Sequence, residues 1–155
     1  MGPPEPGEFM EAFARTGERQ RGAVAVEFAL ILPLLVLILT GVIEFGRVWS
    51  QYQTFQGAAR QGARCAAVKG EGSTCSITDE ITSATPFPPS FGAGGPTVTV
   101  NGAARPNGCL PGLAANGGDL GKDVTVSWVQ PFEINVAFWQ AVTINSTIEG
   151  VFRCE

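Results

Sequence analysis

Two groups of residues in this 155-residue chain have types and spacings that bear on chemistry. The first is four cysteines, Cys65, Cys75, Cys109 and Cys154, separated by 9, 33 and 44 residues. Those gaps lack the close pairs of a zinc ribbon, so no metal site is expected, and an even number of thiols reads as two disulfides outside the cytoplasm. The second is a junction, Arg21-Gly22 followed by Ala23-Val24-Ala25-Val26-Glu27-Phe28. It places one carboxylate, Glu27, inside an apolar stretch, where a central position costs ~2.5–3.5 kcal/mol on insertion and the charge calls for a partner. Most other chemistry is excluded. The chain has no histidine, which removes Ser-His-Asp and Cys-His nucleophiles and every His-containing metal site. The acids Asp79, Glu80, Asp119, Asp123 and Glu133 form no recognisable motif, so neither an enzymatic activity nor a cofactor is expected. A net charge of -4 and a pI near 4.8 give no basic field for phosphates, so no nucleic acid is expected as a partner.

These residues must be positioned by elements that the hydropathy pattern reveals. Charged residues make up only 15% of the chain, against ~25% in ordinary domains, and the mean hydropathy is +0.16. Much of that excess lies in residues 23–43, AVAVEFALILPLLVLILTGVI, whose one charge is Glu27. Twenty-one residues at ~1.5 Å each span a ~30 Å hydrocarbon core, so a transmembrane helix is predicted. A cleaved secretory signal fits poorly, because its apolar region is shorter and ends at small residues, whereas this run ends in Glu44-Phe45-Gly46-Arg47. The arginines at 15, 19 and 21 are balanced by Arg47, Arg60, Arg64 and Lys69 beyond the run, so charge alone does not orient it. The cysteines do, since all four follow the run and place the C-terminal part outside the cytoplasm.

The junction resembles the processing site of type IV prepilins: a basic leader, a glycine, then an apolar helix with glutamate at the fifth mature position. The resemblance implies cleavage between Gly22 and Ala23 by a membrane-embedded prepilin peptidase that reads Gly22, Ala23, Glu27 and Phe28. It also implies that Glu27 serves assembly, neutralising the freed Ala23 amine of a neighbouring subunit where an unpaired ion is expensive. The wider pattern narrows the family. Val26-Glu27-Phe28-Ala29-Leu30, Leu32-Pro33-Leu34, Glu44-Phe45-Gly46-Arg47 and Ala58-Ala59-Arg60-Gln61-Gly62-Ala63-Arg64 together resemble TadE-like pseudopilins of tight adherence (Tad, or Flp) pilus systems. Implied partners are the prepilin peptidase, other pilins and pseudopilins, the Tad assembly platform and the membrane. The implied function is a structural minor pilin in pilus assembly and surface adhesion. The alternative is an unprocessed single-pass anchor whose exported head binds a ligand.

Four segments follow: a disposable cytoplasmic leader, 1–22, lacking apolar periodicity; the transmembrane helix, 23–43; its exported continuation, 44–70; and an extracytoplasmic head, 71–155. In the continuation, Phe45, Val48, Tyr52, Phe55, Ala59, Gly62 and Ala66 recur at alternating steps of 3 and 4, which is a helical stripe. Trp49 and Tyr52 suit the membrane interface. Gly70-Glu71-Gly72-Ser73 ends the helix, and Ser76 with Asp79 and Glu80 signals a short second one. Thr97–Val100 entering Asn101-Gly102, the alternation of 124–129, and Val142, Ile144, Ile148 and Phe152 on one face predict strands. The expected fold is α+β: a long N-terminal pilin-like helix packed on a small antiparallel β-sheet and stapled by disulfides. Cys65–Cys75 with Cys109–Cys154, and Cys65–Cys154 with Cys75–Cys109, are both compatible pairings. Pro131 to Trp139 reads as an apolar connection between the last strands, covering the sheet or presenting aromatics to a partner. Asn145-Ser146-Thr147 is a weak glycosylation match.

Overall fold

The structure is a computed structural model that describes residues 6–68, 74–113, 116–135 and 140–155, with side chains from residue 22 onward. Two helices precede four strands: α1 (Pro6–Val68), α2 (Ile77–Ser83), β1 (Thr97–Val100), β2 (Ala103–Ala104), β3 (Asp123–Ile134) and β4 (Val142–Arg153). The chain divides into two compact units, Met1–Ile43 and Glu44–Glu155. The fold class is the α+β arrangement expected. Helix α1 starts earlier than the leader's lack of periodicity suggests. Proline is tolerated at a first helical position, where its missing N–H has no helical partner anyway, and the Glu, Ala, Met and Arg residues after Pro6 are good helix formers. The glycine-rich segment 70–73 and residues 136–139 of the apolar connection lie outside the described residues.

Within the second unit, β2, β1, β3 and β4 form one antiparallel sheet in that order. Asn101 and Gly102 join β1 to β2 with φ of 47° and 81°, the two positive angles that a two-residue hairpin turn of matching twist requires. β3 and β4 pair over twelve residues, Asp123 opposite Arg153 through Ile134 opposite Val142. β1 covers only Val124–Ser127 of β3, so the stretch from Trp128 to Ile134 has β4 as its one neighbour among the described strands. That corrects the reading of Pro131–Trp139 as a connection, because Pro131–Ile134 belong to β3. A strand with one open edge accommodates a residue that has no N–H.

The sheet buries one face under α1. Val124, Val126, Trp128, Gln130 and Phe132 are buried in strict alternation, as are Ile148 and Gly150 on β4. The small residues of the α1 stripe are where other elements approach most closely, backbone to backbone at Ala59 and Ala66 and side chain to backbone at Gly62. A Cβ on Gly150 would stand 2.3 Å from the Ala59 carbonyl carbon, one on Gly62 2.5 Å from Ile81 of α2, and one on Gly108 2.9 Å from the Ala66 Cα. Phe55 fills the wider end, with ring centroids 6.3 Å from Trp128 and 5.9 Å from Phe132. Helix α2 is capped as its sequence indicates, the Ser76 hydroxyl accepting from Asp79 N at 3.4 Å, and it buries Ile77 and Ile81.

Cys65 is bonded to Cys75 and Cys109 to Cys154. The second bond joins the β2–β3 loop to the residue after β4, where Cys154 N donates to Lys122 O and its carbonyl accepts from Gly121 N. Cys109 N donates to Ala66 O at 2.9 Å, which ties the same loop to the end of α1. One expectation is corrected in part. Val142 and Ile144 share the inward parity of Ile148, yet remain 49% and 50% exposed. At that end of the hairpin the facing residues of α1 are the solvent-exposed Phe45 and Trp49, which leave a groove instead of a closed core.

Candidate processing and assembly segment

Gly22, Ala23, Glu27 and Phe28 lie on α1 with their side chains exposed. Nothing stands within 4 Å of where a Gly22 Cβ would be. Ala23 and Glu27 are four residues apart and share one helix face. Glu27 has no hydrogen-bond or ion-pair partner among the described residues. The large apolar residues after it are also largely uncovered, from 44% exposed at Leu32 to 73% at Leu30, with Val36 half-buried. Among the described residues, one helical stretch, Gly22–Val68, is long and apolar enough to cross a membrane. Its polar Thr40 hydroxyl is satisfied internally, donating to the Val36 and Leu37 carbonyls at 3.0 Å, which suits an apolar surrounding. The apolar helix supplies a candidate single-pass anchor.

Just past the apolar run, Glu44 and Arg47 act as a unit. Their side chains pair at 2.7 Å, Arg47 Nη2 donates to the Glu133 main-chain carbonyl at 2.7 Å, and Asn135 N donates to Glu44 Oε2 at 3.4 Å. The exposed pair alone contributes little, but together the two side chains occupy the Glu133 carbonyl near the end of β3 and the Asn135 amide just after it. Glu44 and Arg47 thus clasp the end of β3 to α1. Residues 22–64, which hold the junction, the apolar run, this clasp and the small-residue stripe, match the family model of TadE-like proteins. Residues 22–64 form a TadE-like segment. The family is pilus-related and structural in character. No curated protein and no solved structure matches the chain. The β-sheet lies wholly outside the TadE-like segment.

Interleaved in sequence with the clasp residues are those of a groove of about 200 Å³ inside the second unit, lined by Phe45, Val48, Trp49 and Tyr52 of the TadE-like segment and by Phe132, Ile144 and Ser146 of the sheet. Phe45, Trp49 and Tyr52 form a ladder with ring centroids 6.2 and 6.0 Å apart, and Tyr52 continues it to Phe132 at 6.2 Å. Among the described residues, no charged side chain lines the groove.

Two polar centres in the head position loops and are not evident as motifs. Asp119 is buried at 1% exposure, beside Lys122 at 2.9 Å and Arg105 at 3.6 Å, and accepts from Leu110 N at 3.0 Å. The hydrogen bond from Lys122, with that from the Leu110 amide, holds its carboxyl below the usual carboxylate range against the opposing effect of burial. Gln130, 5% exposed, accepts from Trp128 Nε1 at 3.1 Å and from Ser90 N at 2.8 Å. It thereby seats the loop that follows Pro86-Phe87-Pro88-Pro89 on the sheet, where Phe91 meets Trp128 edge-on at 5.2 Å. The period-2 pattern does place Gln130 inward, a polar residue two positions after a tryptophan, and that was the available signal. No cluster of Cys, Asp or Glu suited to a metal is present among the described residues.

Proposed function

We propose that this protein is a structural pseudopilin of a Tad pilus system, cleaved between Gly22 and Ala23 by a prepilin peptidase and taking part in pilus assembly and surface adhesion. The observation that carries this reading is Glu27, without a partner among the described residues, on an exposed apolar helix inside the TadE-like segment. A carboxylate kept where desolvation penalises it, five residues after a glycine, suits a neighbour's α-amino group, which cleavage at Gly22 supplies. The uncleaved leader lies in the cytoplasm and the sheet outside it, the helix of 23–43 spans the bilayer, and neighbouring helices pack laterally with Glu27 setting their register. Extraction by the Tad assembly platform then moves the subunit towards the fibre. The protein performs no catalysis in this scheme.

Co-expression with a prepilin peptidase, followed by N-terminal sequencing, tests it. The expected mature terminus is Ala23-Val24-Ala25. An intact N-terminus beside a fully processed control prepilin refutes the reading and leaves the single-pass anchored binding protein in its place.

A further inference from the structure

We propose that the groove between α1 and the β3–β4 hairpin docks on the membrane itself, taking the acyl–glycerol layer of the outer leaflet as its occupant, so that the head is held by two elements and not by the helix alone. The inference rests on the apolar helix being a membrane anchor. The groove begins at Phe45, two residues after the last apolar residue of the run, Ile43. Even a fully extended chain covers at most ~3.6 Å per residue, so Phe45 stays within ~7 Å of Ile43, which is the depth of the interfacial layer. The chemistry of the lining agrees. It combines apolar side chains with the amphipathic rings of Trp49 and Tyr52 and the Ser146 hydroxyl, the mixture that settles at a lipid–water boundary, where a charge would resist. The sheet contributes Phe132, Ile144 and Ser146 beside the four helix residues; Ile144 is 50% exposed, and Val142, two residues before it on the same face, 49%. The Arg47 bond to the Glu133 carbonyl holds that strand end at the level of the first helical turn after Ile43.

A second copy of the chain is the weaker occupant. Seven side chains line the groove, whereas a standard protein interface uses ~20–30 residues on each side. The opposite face of the sheet provides an internal reference, because Val129 and Val151 have the outward parity and are 56% and 51% exposed.

The full chain, methyl-labelled and reconstituted in nanodiscs of phosphatidylcholine and phosphatidylglycerol, tests this by paramagnetic broadening from a lipid labelled near its headgroup and, separately, from a soluble gadolinium chelate. Val142 and Ile144 methyls are expected to broaden several-fold more than those of Val129 and Val151 with the labelled lipid, and several-fold less with the chelate. Equal broadening of both pairs by the chelate, with none from lipid, overturns the proposal. Protection of Val142 and Ile144 that grows with protein-to-lipid ratio and shows no lipid broadening also overturns it, in favour of a second copy. Leucine methyls of residues 30–39 separate this failure from that of the anchor: if they too escape the labelled lipid, the membrane reading itself is wrong. Ile144→Asp, at a position 50% exposed, is expected to abolish the lipid broadening of Val142 while leaving the chemical shifts of Val124, Val126 and Ile148 unchanged.

Discussion

Arg47 Nη2 sits 2.7 Å from the main-chain carbonyl of Glu133, 86 residues away in sequence, and 2.7 Å from the Glu44 carboxylate. Arg47→Ala leaves the buried core untouched, so its effect is expected at the strand end. Hydrogen exchange should accelerate at residues 132–135 and 142–144 with little change at Val124, Val126 and Ile148. Uniform acceleration across β3 and β4 contradicts a local clasp.

Gly150 and Gly57 predict opposite responses to one methyl group. Gly150→Ala forces β4 away from the Ala59 backbone and is expected to destabilise by ~1–3 kcal/mol. Gly57→Ala has open space on the exposed face of α1 and is expected to stabilise by up to ~1 kcal/mol through helix propensity. Thermal unfolding of the detergent-solubilised protein reads both.

Asp119 gives the head an acid limit. Its folded carboxyl titrates below the unfolded value of ~3.9, so its contribution is fully present above pH 4 and is lost as pH falls through the lower folded value. Asp119→Asn is expected to lower stability by ~1–3 kcal/mol at neutral pH and to flatten the decline below pH 4. An unchanged acid slope in the variant places the titrating group elsewhere.

The two disulfides differ in the length of chain that they close, 10 residues for Cys65–Cys75 and 45 for Cys109–Cys154. Loop entropy alone assigns ~3 kcal/mol to the first and ~4 kcal/mol to the second. Paired serine replacements at 109 and 154 are therefore expected to lower the unfolding temperature more than those at 65 and 75. The reverse order would falsify the entropic ranking.

Under the proposed function, replacements at Gly22 and Glu27 separate processing from assembly. Replacement of Gly22 by leucine is expected to block cleavage, while Glu27→Ala is expected to leave cleavage largely intact and reduce pilus number on the cell surface. Wild-type pilus output from the Glu27 variant refutes its pairing role.

The parts of this fold set by local chemistry were legible in the sequence. Asn101-Gly102 dictates its own turn, Ser76 its own cap, and the alternation from Val124 declares a strand. What sequence pattern could not supply was long-range. Pro131 reads as a strand breaker until the sheet order leaves that stretch of β3 with an open edge. Asp119 looks like one acid among several until the loop brings Lys122, Arg105 and the Leu110 amide around it. Val142 and Ile144 have a core pattern, and they stay exposed because α1 offers them an open groove. In the candidate site, Gly22 and Glu27 enter the proposal through their spacing along one helix, which the sequence displays directly. The pairing of Arg47 with a strand carbonyl was not legible, since nothing local to Glu44-Phe45-Gly46-Arg47 names its partner.

The backbone-to-backbone seats of Ala59 on Gly150 and Ala66 on Gly108, with Gly62 seated against Ile81, bear on force as well as packing. A rotation of α1 by one residue turns the long side chain of Arg60 towards Gly150, and an axial slip of one turn brings Phe55 or Ala63 there instead of Ala59. The helix is keyed at three points and can neither roll nor slide within the head. Tension applied along residues 44–68 of α1 therefore passes into the sheet as shear, and that part of the helix and the sheet move together.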